Sequence, residues 1–208
     1  MSTQPTVKET SILFTPENID KTERGDKTCT RRLSGLDKVN ENPGEWAVLC
    51  HSTDDPVWRF AHKTKTVSQG GGIVSIRCPF GTVGDWLYVK ENWCPRSDGA
   101  LLLERVQKPF YKIGDGENDM AKPKAWKWRS PLFMPKWAAR LWLEITEVRV
   151  ERVQEITETD AIAEGCIDAY GPDFHVGAFR KLWESINGPG SWNRNDWVWV
   201  IGFRKVKA

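Results

Sequence analysis

Read for alternation, the chain yields more strands than helices. Ser11–Phe14 is a short apolar run with strand character, and Thr15-Pro16 then opens a helix, with a hydroxyl at the cap and proline at the first helical position. Gly25 is the natural stop of that helix. Trp86, Tyr88 and Lys90 alternate with Leu87, Val89 and Glu91, as a strand with two unlike faces would. Residues 141–153 alternate through Leu141, Leu143 and Ile145, then resume one step out of phase at Val148 and Val150. That slip predicts a long strand with a bulge near Thr146. Residues 197–206 form a final strand.

Helical spacing occurs in two places near the end. Thr157-Glu158-Thr159-Asp160 has the form of a capping box and begins a helix that Gly165 ends. Phe174, Ala178, Leu182 and Ile186 lie four apart and predict an amphipathic helix with those residues inward. Met134–Arg140 reads as a short helix or turn. Two stretches are weakly patterned and read as insertions, at about 34–72 and about 95–130. The first holds strand candidates at 46–50 and 57–61, the second at 101–105 and 109–113. Strands without regular strand–helix alternation favour a mixed α+β architecture, a small β-barrel with flanking helices, over a doubly wound sheet.

Composition sharpens this picture. The 208 residues fit one domain, spanning 1–208 with its two insertions; 39% are hydrophobic, enough for a core. The net charge is +2, so affinity for nucleic acid must come from local basic patches. There is no apolar run of about 18 residues and the N-terminus is polar, so no membrane partner and no secretory leader are expected. An odd count of five cysteines then predicts reduced thiols and a cytoplasmic location. Tryptophan is the outlier, with 12 against 3 tyrosines. Most should pack the core, and a few are candidate platforms for stacked bases.

Four segments stand out in order and spacing: Lys27-Thr28-Cys29-Thr30-Arg31-Arg32, Gly84-Asp85-Trp86-Leu87-Tyr88-Val89, Ile156-Thr157-Glu158 running on to Glu164-Gly165, and Trp199-Val200-Ile201-Gly202-Phe203. Together they resemble the ASCH family. With Cys78-Pro79-Phe80-Gly81, Met134-Pro135-Lys136-Trp137 and Ser185-Ile186-Asn187-Gly188, the pattern looks most like ASCH proteins carried by phages and prophages. The resemblance implies a PUA-like β-barrel that binds RNA, single-stranded nucleic acid or a modified nucleobase in a basic cleft. One ASCH branch is an amidohydrolase that removes the acetyl group from the exocyclic amine of acetylated cytidine. Its Lys-Thr-x-Thr-x-Arg motif falls here on Lys27, Thr30 and Arg32, and its glutamate on Glu164.

The chemistry of these residues fits such a site. Thr30 is a candidate nucleophile, Lys27 a candidate base if desolvated, and Glu164 a candidate donor to a leaving amine. The plainer alternative is an ion pair between Lys27 and Glu164 that holds the turn to the helix. Arg31 and Arg32 extend the positive edge and are both candidate substrate or nucleic-acid contacts, Arg32 being the one that matches the motif. Residues 121–142 carry six basic side chains and four tryptophans with no acid, suited either to single-stranded nucleic acid or to packing an insertion onto the barrel. Lys127, Trp128 and Arg129, with Trp93, are the candidate contacts. An interface with another protein is a third reading of the Trp-rich insertions. Cys50, His51, Cys78 and Cys94 have irregular spacing for zinc, so no metal and no cofactor are expected. Cys29 ranks below Thr30 as a nucleophile.

Overall fold

A computed structural model describes residues 7–49, 57–65, 72–95, 109–111, 127–167 and 174–206. The chain begins with β1 (Glu9–Leu13) and α1 (Pro16–Arg24). Thr15 caps the helix, its hydroxyl accepting from the Asn18 amide at 3.3 Å. Gly25 ends it at φ +87°, a left-handed conformation that favours glycine. The amides of Asp26 and Lys27 both then donate to the Lys21 carbonyl, turning the chain sharply. Only Gly25–Thr28 is turn. Cys29–Arg32 continues directly as strand β2.

The first weakly patterned stretch contains a short helix α2 (Asp37–Asn40) and strands β3 (Trp46–Val48) and β4 (Val57–His62). These coincide with two of the strand candidates. After β5 (Ile73–Arg77) come β6 (Trp86–Lys90) and the short pair β7 (Trp93–Cys94) and β8 (Phe110–Tyr111). The candidate at 101–105 lies outside the described residues, and of 109–113 only the β8 pair is strand. Pro131–Phe133 and Lys136–Ala138 are single 3₁₀ turns. The last elements are β9 (Trp142–Arg152), α3 (Glu158–Ala163), α4 (Phe174–Asn187), α5 (Ser191–Arg194) and β10 (Trp197–Val206).

The main sheet has five strands in the order β1-β6-β9-β10-β2, with β1 parallel to β6 and every other pairing antiparallel. A three-stranded sheet, β3-β4-β5, packs on one face. Strand β10 shows why its sequence is apolar at nearly every position. Trp197, Trp199, Ile201 and Phe203 enter the core shared with Trp58 and Phe60. Val198 and Val200, one step away, enter a second core under α3 and α4, with Phe179 and Trp183. A strand covered on both faces loses the alternation of a half-exposed one. Full burial of each Val, Ile or Phe contributes about 1.5–3 kcal/mol. The buried indoles also tie down the stretch that follows β2: Trp199 donates to the Ser34 carbonyl at 2.9 Å and Trp197 to the Pro43 carbonyl at 3.1 Å.

The bulge falls at the predicted residue. Ile145 pairs with Phe203 and Glu147 with Gly202, leaving Thr146 as the extra residue. Gly202 opposite it is tightly packed: a Cβ there would lie 3.0 Å from the Glu147 Cβ.

Two expectations change. The α+β architecture stands, but no closed barrel forms among the described residues, because β1 and β2 do not pair. The edges are nevertheless close. In a flat sheet, four strand spacings would separate them by about 19 Å, yet the Arg32 guanidinium donates to the Leu13 carbonyl at 2.7 Å. The sheet is therefore strongly curled, and a side chain spans the gap that a ladder would close. The second change is in α4. Phe174 and Ile186 are exposed, and the buried residues are Phe179 and Trp183. The apolar stripe runs one position further round the helix than the four-residue series suggests.

Candidate functional site

Lys27 leaves the turn after α1 and is 2% exposed. Its ammonium donates to Glu164 twice, to Oε2 at 2.6 Å and to the backbone carbonyl at 2.9 Å. Glu164 stands at the C-terminal cap of α3, where the chain turns through Gly165 at φ +87°. A side chain at Gly165 would meet Lys21 at 2.9 Å and Lys27 at 3.4 Å, so glycine lets the two segments approach. The Thr28 amide donates to the Ala163 carbonyl at 2.8 Å, and Lys21 Nζ donates to the Gly165 carbonyl at 2.7 Å.

Beneath this pair lies a network of alternating charge. Arg31 is buried and reaches three carboxylates: Glu151 at 2.5 Å, Asp160 at 3.1 Å and Glu164 at 3.4 Å. Burial opposes its charge, but Glu164 and Glu151 outweigh that and raise its pKa above the ordinary value. Arg149 joins Glu151 at 3.0 Å and Asp160 at 2.8 Å from the other side. Burial alone would push the Asp160 carboxyl up; Arg149 and Arg31 hold it below its ordinary value. Burial, reinforced by Glu164, pushes the Cys29 thiol up to about 12, which leaves it protonated and unreactive at neutral pH.

Above the network is a cavity of about 260 Å³ between β2, the start of α1, the end of α3 and α4. Lys27, Thr30, Arg31, Arg32 and Glu164 line it, with Phe179 and Trp183 on the α4 side. The three residues proposed for chemistry therefore meet at one place. Among the described residues no hydrogen bond to the Thr30 hydroxyl is present. Arg32 is partly committed, since it donates to Leu13 and lies 5.5 Å over the Phe14 ring. Its Nε–H has no partner among the described residues, and burial lowers its pKa from the ordinary value. The two arginines thus differ in their surroundings. Arg31 is buried inside the ion network while still lining the cavity, and Arg32 lines it with a buried Nε–H that is unpaired among the described residues.

The aromatic candidates lie elsewhere. Trp93 is buried, with the Arg129 guanidinium 5.2 Å over its ring and Trp137 edge-on at 5.9 Å. It has no free face for a base to stack on. Lys127, Trp128 and Arg129 are exposed, and none of them lines the cavity. Phe133 and Trp137, on the two 3₁₀ turns, are the more open aromatics, at 76% and 67% exposed. Cys50 and His51 lie outside the described residues, and among those described no group of three or more His, Cys, Asp or Glu side chains is placed to hold a metal. Sequence reasoning missed Phe179 and Trp183, whose i, i+4 spacing was the available signal. It also missed the Arg31–Glu151–Asp160–Arg149 network, which is assembled from three separate elements.

No family model matches the chain, and no curated protein matches it. Two solved structures are similar. A protein from Enterococcus faecalis V583, described by the family model DUF984, has a TM-score of 0.40 at 10% identity, over 98% of this chain and 82% of that one. An ASCH domain from Lactobacillus crispatus JV V101 has a TM-score of 0.36 at 12% identity, over 95% of this chain and 79% of that one. The second structure bears the name of the family that this chain's own motifs resemble. No helix among the described residues is long and apolar enough to cross a membrane.

Proposed function

We propose that this protein binds a nucleobase-sized ligand in the cavity above the Lys27–Glu164 pair. The ligand is either a base presented by RNA or other single-stranded nucleic acid, or a free modified nucleoside. The observation that carries this reading is the convergence of Lys27, Thr30, Arg32 and Glu164 on one small cavity walled by Phe179 and Trp183. A few polar groups against an aromatic wall suit a flat heterocycle, and a volume of about 260 Å³ suits a ligand smaller than a typical drug. For a polymer, exposed Trp128 with Lys127 and Arg129 would add sequence-tolerant contacts outside the cavity. Calorimetric titration with cytidine, N4-acetylcytidine, uridine, guanosine, adenosine and short single-stranded oligonucleotides tests the reading. Saturable binding abolished by Thr30→Trp, which fills the cavity, supports it; no binding to any of them refutes it.

A second reading, hydrolysis of an acyl amide on the exocyclic amine of a cytosine nucleoside, is favoured by the 2.6 Å contact between Lys27 and Glu164 beside Thr30. Lys27 Nζ donates to Glu164 Oε2 at 2.6 Å, so a base role requires that proton to pass to the carboxylate first. The neutral amine then takes the Thr30 proton as Oγ1 attacks the acyl carbon, and Glu164 returns a proton to the departing amine. Water releases the acyl group from Thr30. Release of free cytidine and acetate from N4-acetylcytidine, lost in Thr30→Val, is the expected outcome. Binding without product would leave the protein a binding module.

A further inference from the structure

The cavity is charged unevenly. Of the residues that line it, Lys27, Arg31 and Arg32 are cations and Glu164 is the one carboxylate. That carboxylate is taken up: Oε2 accepts from Lys27 and Oε1 from Arg31. Arg31 has two further carboxylates behind it, Glu151 and Asp160. Arg32 has no carboxylate within ion-pair reach among the described residues, and Glu164 acts on it only at a distance. Its contacts are neutral: the Leu13 carbonyl at 2.7 Å through Nη2, and the Phe14 ring at 5.5 Å. A charge drawn partly out of water without a counter-charge is costly, and burial accordingly depresses the Arg32 pKa. Depth also separates the three cations. Lys27 and Arg31 are buried. Arg32 is only partly so, and the Leu13 that it holds is 42% exposed, which puts this guanidinium at the mouth. Its Nε is closed off and its Nη2 is committed to Leu13, whereas Nη1 is neither enclosed nor bonded among the described residues. Bridging the sheet edges occupies one N–H of the five that a guanidinium carries, and a neutral amide could supply it. The bridge does not account for the charge.

We propose that Arg32 receives a phosphate at the mouth of the cavity while the base sits inside, so that the site prefers a nucleotide, free or within a strand, to the matching nucleoside. This rests on the nucleobase reading above and names its substrate class. A phosphate supplies the missing counter-charge, and its oxygens accept from Nη1–H with charge assistance. No second acid lines the cavity to repel it. Thr15, Asn18 and Ser34, which line it close to Leu13 and Arg32 in the chain, are neutral. The Glu164 carboxylate is offset by the two cations bonded to it. A nucleoside leaves the charge of Arg32 as it was; a nucleotide neutralises it. Arg32 is therefore a specificity residue that acts through its charge.

Matched sets isolate this effect. Cytidine, uridine, guanosine and adenosine are each titrated calorimetrically into the full-length protein, beside their 5′-monophosphates, their 3′-monophosphates and the 3′,5′-linked dinucleotide of the same base. In at least one set a phosphate-bearing member should bind about tenfold more tightly than the nucleoside, as one charge-assisted hydrogen bond at a partly open site allows. Arg32→Gln keeps a donor for the Leu13 carbonyl and removes the charge, and it should abolish the preference. The readout is a ratio within one protein, so a general loss of stability does not imitate it. If Arg32→Gln does not fold, Arg32→Lys replaces it. An ammonium cannot hold the carbonyl and a phosphate in the same fork, so the ratio should fall severalfold. Equal or weaker binding of the phosphate-bearing members in every set that binds would overturn the inference, and so would a ratio unchanged in the folded variant. Tighter binding of the dinucleotide than of either monophosphate identifies the phosphate as one within a strand, and the reverse as that of a free nucleotide; both support the inference. Failure of every compound to bind overturns the nucleobase reading itself, a result distinct from nucleoside binding that ignores the phosphate.

Discussion

Lys27 and Glu164 form an ion pair whose side chains are only 1% and 4% exposed. A fully buried ion pair gains little net stability, yet losing one partner leaves a charge stranded and typically costs about 3–5 kcal/mol. Glu164→Gln should therefore lower unfolding stability by about that amount, measured by urea titration. Lys27→Met combined with Glu164→Leu should be less destabilising than the two single losses added together. If the singles simply add, the pair is not coupled as its 2.6 Å contact implies. Asp160 has a pH signature. Its pKa is lowered from 3.8, so the stability it contributes is complete above 3.8 and is lost as pH falls through the lower folded value. Thermal melts across that acid range should show a shallower pH dependence in Asp160→Asn; an unchanged slope would contradict the assignment. Cys29, with its thiol pushed up to about 12, should resist iodoacetamide at pH 8 in the native protein and react once the protein is unfolded in urea.

Among the elements, α4 is the sharpest test of how far periodicity reaches. Both of its stripes, Phe174-Ala178-Leu182-Ile186 and Phe179-Trp183, have helical spacing. What separates them is the second core under β10, which no local pattern encodes. Phe179→Ala should cost about 3–5 kcal/mol, whereas Phe174→Ser, on the exposed side, should stay within about 0.5 kcal/mol of wild type; chemical denaturation distinguishes them. By contrast, the bulge at Thr146 was legible because a slip in alternation is itself a local signal. So were the hydroxyl and proline that begin α1 and the glycine that ends it. Gly202→Ala presses a methyl group onto Glu147 and should destabilise by about 1–3 kcal/mol.

For the whole molecule, the division between what could and could not be read follows contact range. Lys27, Thr30 and Glu164 were legible as a set through a motif, although 137 positions separate the lysine from the glutamate. The near-meeting of the sheet edges was not, because it depends on how five strands curl, and it leaves Arg32 bridging a gap where a closed barrel was expected. The cavity lies beside that bridge, so curl, latch and site form one structure. The central claim is that this cavity receives a base. Its most direct test is the ¹H–¹⁵N spectrum of the protein titrated with the tightest-binding nucleoside of the panel. The account predicts shifts concentrated at the amides of residues 27–32 and 164 and at the Trp183 indole N–H, identified by its loss in Trp183→Phe. Shifts confined to the neighbourhood of Trp128 and Trp137, with the cavity silent, would contradict it.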